Sequence, residues 1–493
     1  MKPSYIELES ELLHARAELK QTKTELKQTK IKFNQTKIEL DQAREFLKKA
    51  FKEISMLSEE IVKLKEQISK NSKNSSKPPS SDQKGNTDPK PPKEERKKRQ
   101  GKARIPFPPE RVDRHIKCSR KNCPHCGSSA IQLKEQSPEI LQQAELPKVR
   151  ATVTEYHLLK YGCSNCGKNS VAPLPTGVPN SAFGPNLMGL LVMLTGVFHL
   201  AKREAIQLIK ELYGVDMGVG SVPNIEERVS EILNPVCQRI HRFVVQSKFC
   251  KHFDETGWRD QGKRHYVWLA CCEKAAFYMI DRHRSSEAFL KMFTASPDHV
   301  CVVTDRYAVY SIFTTHQYCL AHLIRDFHGY AEKDGPDKQL GEALEGELKL
   351  ACYIHKRYRD GEINLKERNR LLGYRKRKLR HHLEDGMANG CDKLFKLSEK
   401  LLDSFGKLWT FTRIPGMEPT NNLAERDLRK LVVWRRKSYG TRSDRGKKFV
   451  ERITTVAQTL KRQSQSILVF IQEVITRFYE NSTVPFIHES LGF

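Results

Sequence analysis

Two groups of side chains in this sequence have the types and spacing to do chemistry. The first is a pair of thiol doublets, Cys123-Pro124-His125-Cys126 and Cys163-Ser164-Asn165-Cys166, each followed by glycine (Gly127, Gly167). Thiolates in CxxC spacing can both reach one tetrahedral Zn²⁺ at ~2.3 Å, and the glycine permits the tight turn this needs. A redox role competes for any single CxxC. Two together favour one structural zinc on Cys123, Cys126, Cys163 and Cys166, although the stretch between them exceeds the commonest ribbon spacing. His115, Cys118 and His125 are spare ligands nearby. So small a module is expected to need its metal to fold, because binding and folding are coupled.

The second group is acidic. Asp254 closes one strand-like run, Asp305 closes another, and Glu425 lies in Asn421-Asn422-Leu423-Ala424-Glu425-Arg426. Carboxylates gathered from such positions can share two Mg²⁺ ions ~3.5–4 Å apart, with positions left for water and phosphate. Each acid also has an ordinary explanation: strand ends often carry turn acids, and Glu425 with Arg429 would make a helix ion pair worth a few tenths of a kcal/mol. Arg426, Arg429, Lys430, Arg435, Arg436 and Lys437 form a basic stretch suited to DNA phosphates, or a solvated helix face. Cys319 and His322 are spaced to share a metal, but two ligands alone point to packing or positioning. Trp258 fits base stacking and core filling equally.

The elements that must position these groups can be read from periodicity. Past Lys248 the period is two: 250–254, 265–272 and 276–281 read as strands, with turns at Gln261-Gly262 and Glu273-Lys274, and 299–304 as a fourth. Helix follows from about Leu320. Strands before helices fit a mixed sheet of ribonuclease H type, whose first and fourth strands are neighbours, so Asp254 and Asp305 would meet at their ends. The third acid would come from a helix over that edge, capped by Asn421 or Asn422, with Leu423, Leu428, Leu431 and Val432 as its apolar side. Charged helices between, including Tyr374-Arg375-Lys376-Arg377-Lys378-Leu379-Arg380, read as an insertion that is either a solvated face or a DNA contact.

Upstream, Tyr5, Leu12, Leu19, Leu26, Phe33, Leu40, Leu47, Ile54, Ile61 and Ile68 recur at every seventh residue. A second column runs from Leu8 through Ala15, Thr22, Thr29, Thr36, Ala43, Ala50 and Leu57 to Leu64. These are the a and d positions of a left-handed coiled coil, and Ile at a with Leu at d in the last heptads favours two parallel strands. Glu11, Glu18, Glu25, Glu39 and Glu60 at g face Arg16, Lys23, Lys30, Arg44 and Lys65 at e, pairs worth ~0.2–1 kcal/mol each. The threonine layers should be the weakest. Val149–Tyr161 looks like strand. Around Tyr213-Gly214, Ala205–Leu212 and a helix capped by Ser221 suit a helix-turn-helix or a plain helical hairpin.

The expected fold is therefore multidomain α+β. It comprises an N-terminal parallel coiled coil (1–70), a basic flexible linker (71–111), a small zinc-binding module (112–175) and a helical segment open to a helix-turn-helix DNA-binding reading (180–245). A ribonuclease H-like α/β catalytic core (246–330 and 414–460) with a helical insertion (331–413) and a C-terminal helical tail (461–493) complete it. The 493 residues carry 86 Lys+Arg against 59 Asp+Glu, a net charge of +27, which points to a polyanionic partner, nucleic acid before acidic membrane. No uncharged apolar run reaches the ~18 residues of a membrane span. Met1-Lys2-Pro3-Ser4-Tyr5 lacks the apolar core of a secretory signal. Thirteen scattered cysteines fit a reducing compartment better than a disulfide framework.

Four blocks carry a resemblance: His252-Phe253-Asp254-Glu255-Thr256-Gly257-Trp258-Arg259, Thr304-Asp305-Arg306-Tyr307-Ala308-Val309-Tyr310, Cys319-Leu320-Ala321-His322-Leu323-Ile324-Arg325-Asp326-Phe327 and Asn421-Asn422-Leu423-Ala424-Glu425-Arg426. Together, and with the order zipper, Ser/Pro tether, CxxC pair and core, they resemble the insertion-sequence-66 family of transposases over nearly the whole chain. The resemblance implies a DDE DNA transposase with a ribonuclease H-like core, its acids on Asp254, Asp305 and Glu425, with Glu255 and Glu418 as neighbouring acids that compete for the assignment. It further implies two catalytic Mg²⁺, a structural Zn²⁺, binding to the element's terminal inverted repeats and to target DNA, and a location in bacterial cytoplasm, at the nucleoid when on DNA. Accessory proteins encoded by the element are implied too, and the zipper suggests a homodimer; no membrane is expected. A zipper-dimerised, zinc-containing DNA-binding regulator or an inactive transposase relic without nuclease activity would not need three placed acids. A lone ribonuclease H-type nuclease would not need the zipper.

Overall fold

The computed structural model describes residues 5–69, 106–129, 137, 139–147, 149–298, 300–333 and 335–483. Most of the linker expected at 71–111, the start of the chain, and residues 484–493 of the tail lie outside them. Helix α1, Tyr5–Ser69, is unbroken over 65 residues, ~100 Å at 1.5 Å per residue. The apolar columns are exposed along it, Leu26 at 66% and Ile54 at 58%. Two of the seam threonines, Thr29 and Thr36, donate back to the carbonyls of Glu25 and Lys32 at 2.8 and 3.0 Å, so their hydroxyls are satisfied within the helix.

In the zinc module the second doublet sits in a hairpin of β1, Lys160–Gly162, and β2, Asn169–Val171, paired antiparallel. The strand expected over 149–161 is realised only at its last residues. Val153 and its neighbours are exposed and irregular, because β-branched side chains make a strand only where another strand and a covering layer receive them.

Three helices follow: α2, Pro185–Gly196, α3, Lys202–Tyr213, and α4, Ser221–Gln246. Gly214 ends α3 in the left-handed region at φ 70°. Ser221 does not cap α4; it is the first helical residue, and Gly220 holds the cap position without a side chain to bond. Nor is α4 short: it runs 26 residues, and Val222, Ile225, Val229, Leu233, Val236, Ile240 and Val244 bury one face in the main core.

Residues 251–318 build a five-stranded mixed sheet. Its strands are β3, Lys251–Asp260, β4, Lys263–Cys271, β5, Ala276–Asp281, β6, Cys301–Thr304, and β7, Thr315–Tyr318, in the order β5-β4-β3-β6-β7. The first three are antiparallel, and β6 and β7 add parallel to β3. Gln261 and Gly262, at φ 51° and 75°, make the tight β3–β4 turn. Helix α5, Ser286–Met292, precedes β6, and α6, Leu320–Ala331, follows β7. The insertion folds as α7, Pro336–Arg359, α8, Leu365–Asn389, and α9, Asp392–Asp403. The chain returns through α10, Asn422–Ser438, α11, Asp444–Arg462, and α12, Ile467–Tyr479.

Two cores meet at β6. Val302 belongs to the one that includes α2, α4, α11 and α12, and Val303 to the one formed with α6 and the insertion. Neighbouring residues of a strand face opposite sides, so this short strand serves both. Trp258 is core, 2% exposed, with its indole N–H donated to Thr441 Oγ1 at 3.1 Å. That excludes base stacking for it.

Side chains of α11 replace a missing strand at the β5 edge, and the end of the insertion is tied to the β7 edge. On β5, the N–H groups of Ala276, Tyr278 and Ile280 donate to Thr459 Oγ1 (3.1 Å), Thr455 Oγ1 (3.1 Å) and Glu451 Oε1 (2.5 Å). Four residues of helix advance ~6 Å and two of strand ~6.7 Å, so acceptors at every fourth residue of α11 match donors at every second residue of β5. On β7, Gln317 donates to Leu408 O at 3.1 Å and accepts from Phe411 N at 3.0 Å, while Thr410 Oγ1 donates to His316 O at 2.7 Å. The end of the insertion thereby closes the second edge.

Thr455→Val should lower unfolding free energy by ~1–3 kcal/mol, read by urea denaturation, since it strands the buried Tyr278 N–H. Burial raises the Glu451 carboxyl from 4.5 to about 7, against the opposing Ile280 N–H and Lys447. A carboxyl raised on folding adds stability that is complete below its unfolded value and is lost as pH rises through about 7. Glu451→Gln keeps an acceptor and removes the titration, so its stability relative to the parent should climb between pH 5 and 8; a flat difference would contradict this.

Candidate functional site

β3 alternates its side chains across the sheet, placing His252 and Asp254 on one face and Phe253 and Glu255 on the other. Asp254 is not at the strand's end, as the loss of apolar residues after it suggested. β3 runs on to Asp260, because Glu255 through Asp260 pair with β4. β6, however, pairs with β3 only at Lys251–Val302 and His252–Val303. Continued two steps past its last pair, that register would set Asp254 opposite Asp305, and the Asp305 charge is felt at Asp254. Asp254 Oδ1 accepts from Glu255 N, and Asp305 Oδ1 from Tyr307 N, both at 2.9 Å.

Glu425 arrives on α10, which crosses the His252–Asp254 face. Asn421 fixes that crossing. It is wholly buried, its Nδ2 donates to Phe253 O at 2.8 Å, and its Oδ1 lies 3.0 Å from His252 Nδ1. Burial lowers the His252 pKa to about 4, so the ring is neutral and its Nδ1–H donates to the amide oxygen. Asn421 N donates to Cys319 Sγ at 3.1 Å, and Leu320 N to Pro419 O at 3.0 Å, tying α10 to the start of α6. Asn421 occupies the cap position of α10, but its side chain serves β3, not the helix. Sequence reasoning read it as a cap and missed both this clamp and His252.

The acids differ in their company. Glu255, 3% exposed at its side chain, accepts from Arg284 Nε at 2.8 Å and from the Tyr310 hydroxyl. Glu418 lies 3.8 Å from His355 and 3.6 Å from Arg359, which hold its carboxyl below the usual range. Asp254 and Asp305 have no ion pair among the described residues. Enclosure by protein, then the negative charges of Glu255, Asp305 and Glu425, push the Asp254 carboxyl well above its ordinary range. Such crowding is what a bound cation relieves, and an all-oxygen donor set fits Mg²⁺. The three acids are close enough to feel one another but are not drawn onto a single point. Among the described residues, the group whose ligand atoms lie within 4.8 Å of one another is Cys319, His322 and Glu425. Glu425 Oε1 stands 3.5 Å from His322 Nδ1, so the expected pairing with Arg429 is not the one the helix makes.

Of the basic residues on α10, Arg426, Arg429, Lys430, Arg436 and Lys437 are exposed. Lys430 is tied to Gln458 at 2.7 Å, and Arg435 donates to Gly257 O beneath the sheet. The thiol doublets form matching knuckles: Gly127 N donates to Cys123 O and Gly167 N to Cys163 O, each at 2.9 Å, with both glycines at positive φ. Hydrogen bonds lower the thiol pKa of Cys126, chiefly from Ser128, and of Cys163, chiefly from Cys166 and Asn165, which favours the metal-binding thiolate. The two doublets are not gathered into one group of ligands within 4.8 Å of one another. His115, Cys118 and His125 are exposed.

The family model described as Transposase IS66 family matches residues 180–449, more than half of the chain and every element just described from α2 to the start of α11. The chain belongs to the IS66 transposase family. A model of the zinc-finger binding domain of transposase IS66 matches residues 120–167, which hold all four knuckle cysteines, and a family of unknown function (DUF6444) matches 13–105. No curated protein matches the sequence. An IS66 transposase with a zinc-finger domain binds zinc and DNA, consistent with the basic charge. No helix among the described residues is long and apolar enough to cross a membrane.

Asn421→Ala should cost ~1–3 kcal/mol in urea unfolding, because it leaves the buried His252 N–H and Phe253 carbonyl without partners. Asn422→Ala, one residue along and exposed, should stay within ~0.5 kcal/mol. Equal effects at the two positions would remove the clamp from the account.

Proposed function

We propose that this IS66 transposase cuts element ends and joins them to target DNA at a DDE site made by Asp254, Asp305 and Glu425 in a ribonuclease H-like core. The observation that carries the reading is the contrast in counter-charges. Glu255 is ion-paired with Arg284, and Glu418 with Arg359 and His355, whereas Asp254 and Asp305 make no ion pair within 4 Å among the described residues. Three antiparallel strands followed by two parallel ones, with a helix carrying the third acid across the first strand, support the ribonuclease H-like assignment.

Asp254, Asp305 and Glu425 would hold two Mg²⁺ ions, which when bound supply charge neutralisation at the phosphodiester and acidify water. The chain's own part is positional. Asn421 and His252 hold α10 against β3; Glu255, Arg284 and Tyr310 brace the far side of β3; Arg426, Arg429, Arg436 and Lys437 offer phosphate contacts along α10. Water serves first as nucleophile, then the freed 3′-hydroxyl, so no protein nucleophile is used. The exposed seam of α1, with its g–e charge pairs, supports a parallel homodimer that would hold two element ends in one complex. The zinc knuckles and the segment 180–245 are the candidates for reading those ends.

With labelled element ends and Mg²⁺, Asp254→Asn, Asp305→Asn and Glu425→Gln should each reduce cleavage and joining at least ~100-fold, ~2.7 kcal/mol of barrier, while end binding persists. Retained Mg²⁺-dependent cleavage in the aspartate variants would refute the site.

A further inference from the structure

Beside the acid pair lies a second set of donors with different chemistry. Cys319 Sγ, a ring nitrogen of His322 and a Glu425 oxygen lie within 4.8 Å of one another. Cys319 and His322 occupy the junction of β7 with α6 and the first turn of that helix, and Glu425 comes from the first turn of α10. His322 Nδ1 and Glu425 Oε1 face each other at 3.5 Å, both are shut off from solvent, and neither has a hydrogen-bond partner. Buried polar atoms are nearly always paired, so two orphans turned toward each other need a cause. A direct hydrogen bond would close them to about 2.9 Å. Two ligands at ~2.0–2.1 Å on one tetrahedral ion stand ~3.3 Å apart, close to the spacing present. The third donor is a sulfur whose position is fixed by the Asn421 N–H and by the backbone of His322 and Ala321.

We propose that Cys319, His322 and Glu425 form a binding site for a borderline-soft divalent ion of the Zn²⁺ class, separate from the knuckle zinc. Thiolate and imidazole select Zn²⁺ over Mg²⁺, which takes oxygen ligands. Three protein ligands leave one position open. The inference shares Glu425 with the DDE reading but does not require it: Glu425 Oε1 faces His322, and a carboxylate has a second oxygen to offer. Where both hold, the ion fixes the rotamer of the third acid and spaces it from Asp254.

The test is the zinc content of the purified full chain, measured by elemental mass spectrometry after dialysis. Cys319→Ser and His322→Gln should each hold about one zinc fewer per chain than the parent, and Cys163→Ser should lose a different one, so that Cys319→Ser with Cys163→Ser loses both. Co²⁺ loaded in place of zinc should give a thiolate-to-cobalt absorption band that Cys319→Ser reduces and Asp254→Asn leaves unchanged. His322→Gln keeps the thiol and the shape of the site, so it remains informative if Cys319→Ser folds poorly. Zinc content and cobalt band unchanged in both variants would overturn the site. Loss of cleavage in Asp254→Asn with zinc content intact would leave this inference standing, and retained cleavage there with zinc lost in His322→Gln would fail the DDE reading alone.

Discussion

Asp254 is hemmed in by protein atoms and by the carboxyl groups of Glu255, Asp305 and Glu425, and no lysine, arginine or histidine among the described residues pairs with it. Gathering like charges in a poorly solvated recess is costly unless protons or cations share the space. The neighbours show that the fold can supply counter-charges: Arg284 reaches Glu255, and His355 and Arg359 reach Glu418. Leaving Asp254 without such a partner among the described residues costs stability. We read it as room kept for divalent ions and a phosphodiester.

The rest of the architecture can be understood as the means of bringing the third acid to that place across a long insertion. The insertion packs its own core with α6, then closes the β7 edge through Thr410 and Phe411, so its return point is set by the sheet itself. From there Pro419 and Asn421 bond the first residues around α6 and the backbone of β3, and α10 is launched with Glu425 one turn in. On the opposite edge, α11 stands in for a missing strand with Glu451, Thr455 and Thr459. Both edges are thereby tied to neighbouring elements.

Much of this was legible in the residues. Heptads announced a long helix, period-two runs announced β3 to β6, and the three acids fell where strand and helix signals met. What escaped has physical reasons. β3 was cut short because Glu255-Thr256-Gly257 breaks the apolar alternation, although pairing with β4 carries the strand on. β7 was missed because Thr315-His316-Gln317-Tyr318 carries no apolar signature; its polar groups are satisfied by turns nearly a hundred residues away. Asn421 looked like a cap because local chemistry allows it, and only the distant Phe253 carbonyl and His252 ring direct its side chain elsewhere. Glu425 with Arg429 had the right spacing for an ion pair, yet the acid turns to His322, a partner set by tertiary packing.

The central claim is that Asp254 and Asp305 together hold a divalent ion. Anomalous diffraction from crystals of the full chain soaked in Mn²⁺, a stand-in for Mg²⁺ with usable scattering, tests it directly. The account predicts a peak bridging the Asp254 and Asp305 carboxylates that vanishes in Asp305→Asn crystals. Ordered manganese elsewhere, with those two carboxylates bare at saturating ion, would contradict it.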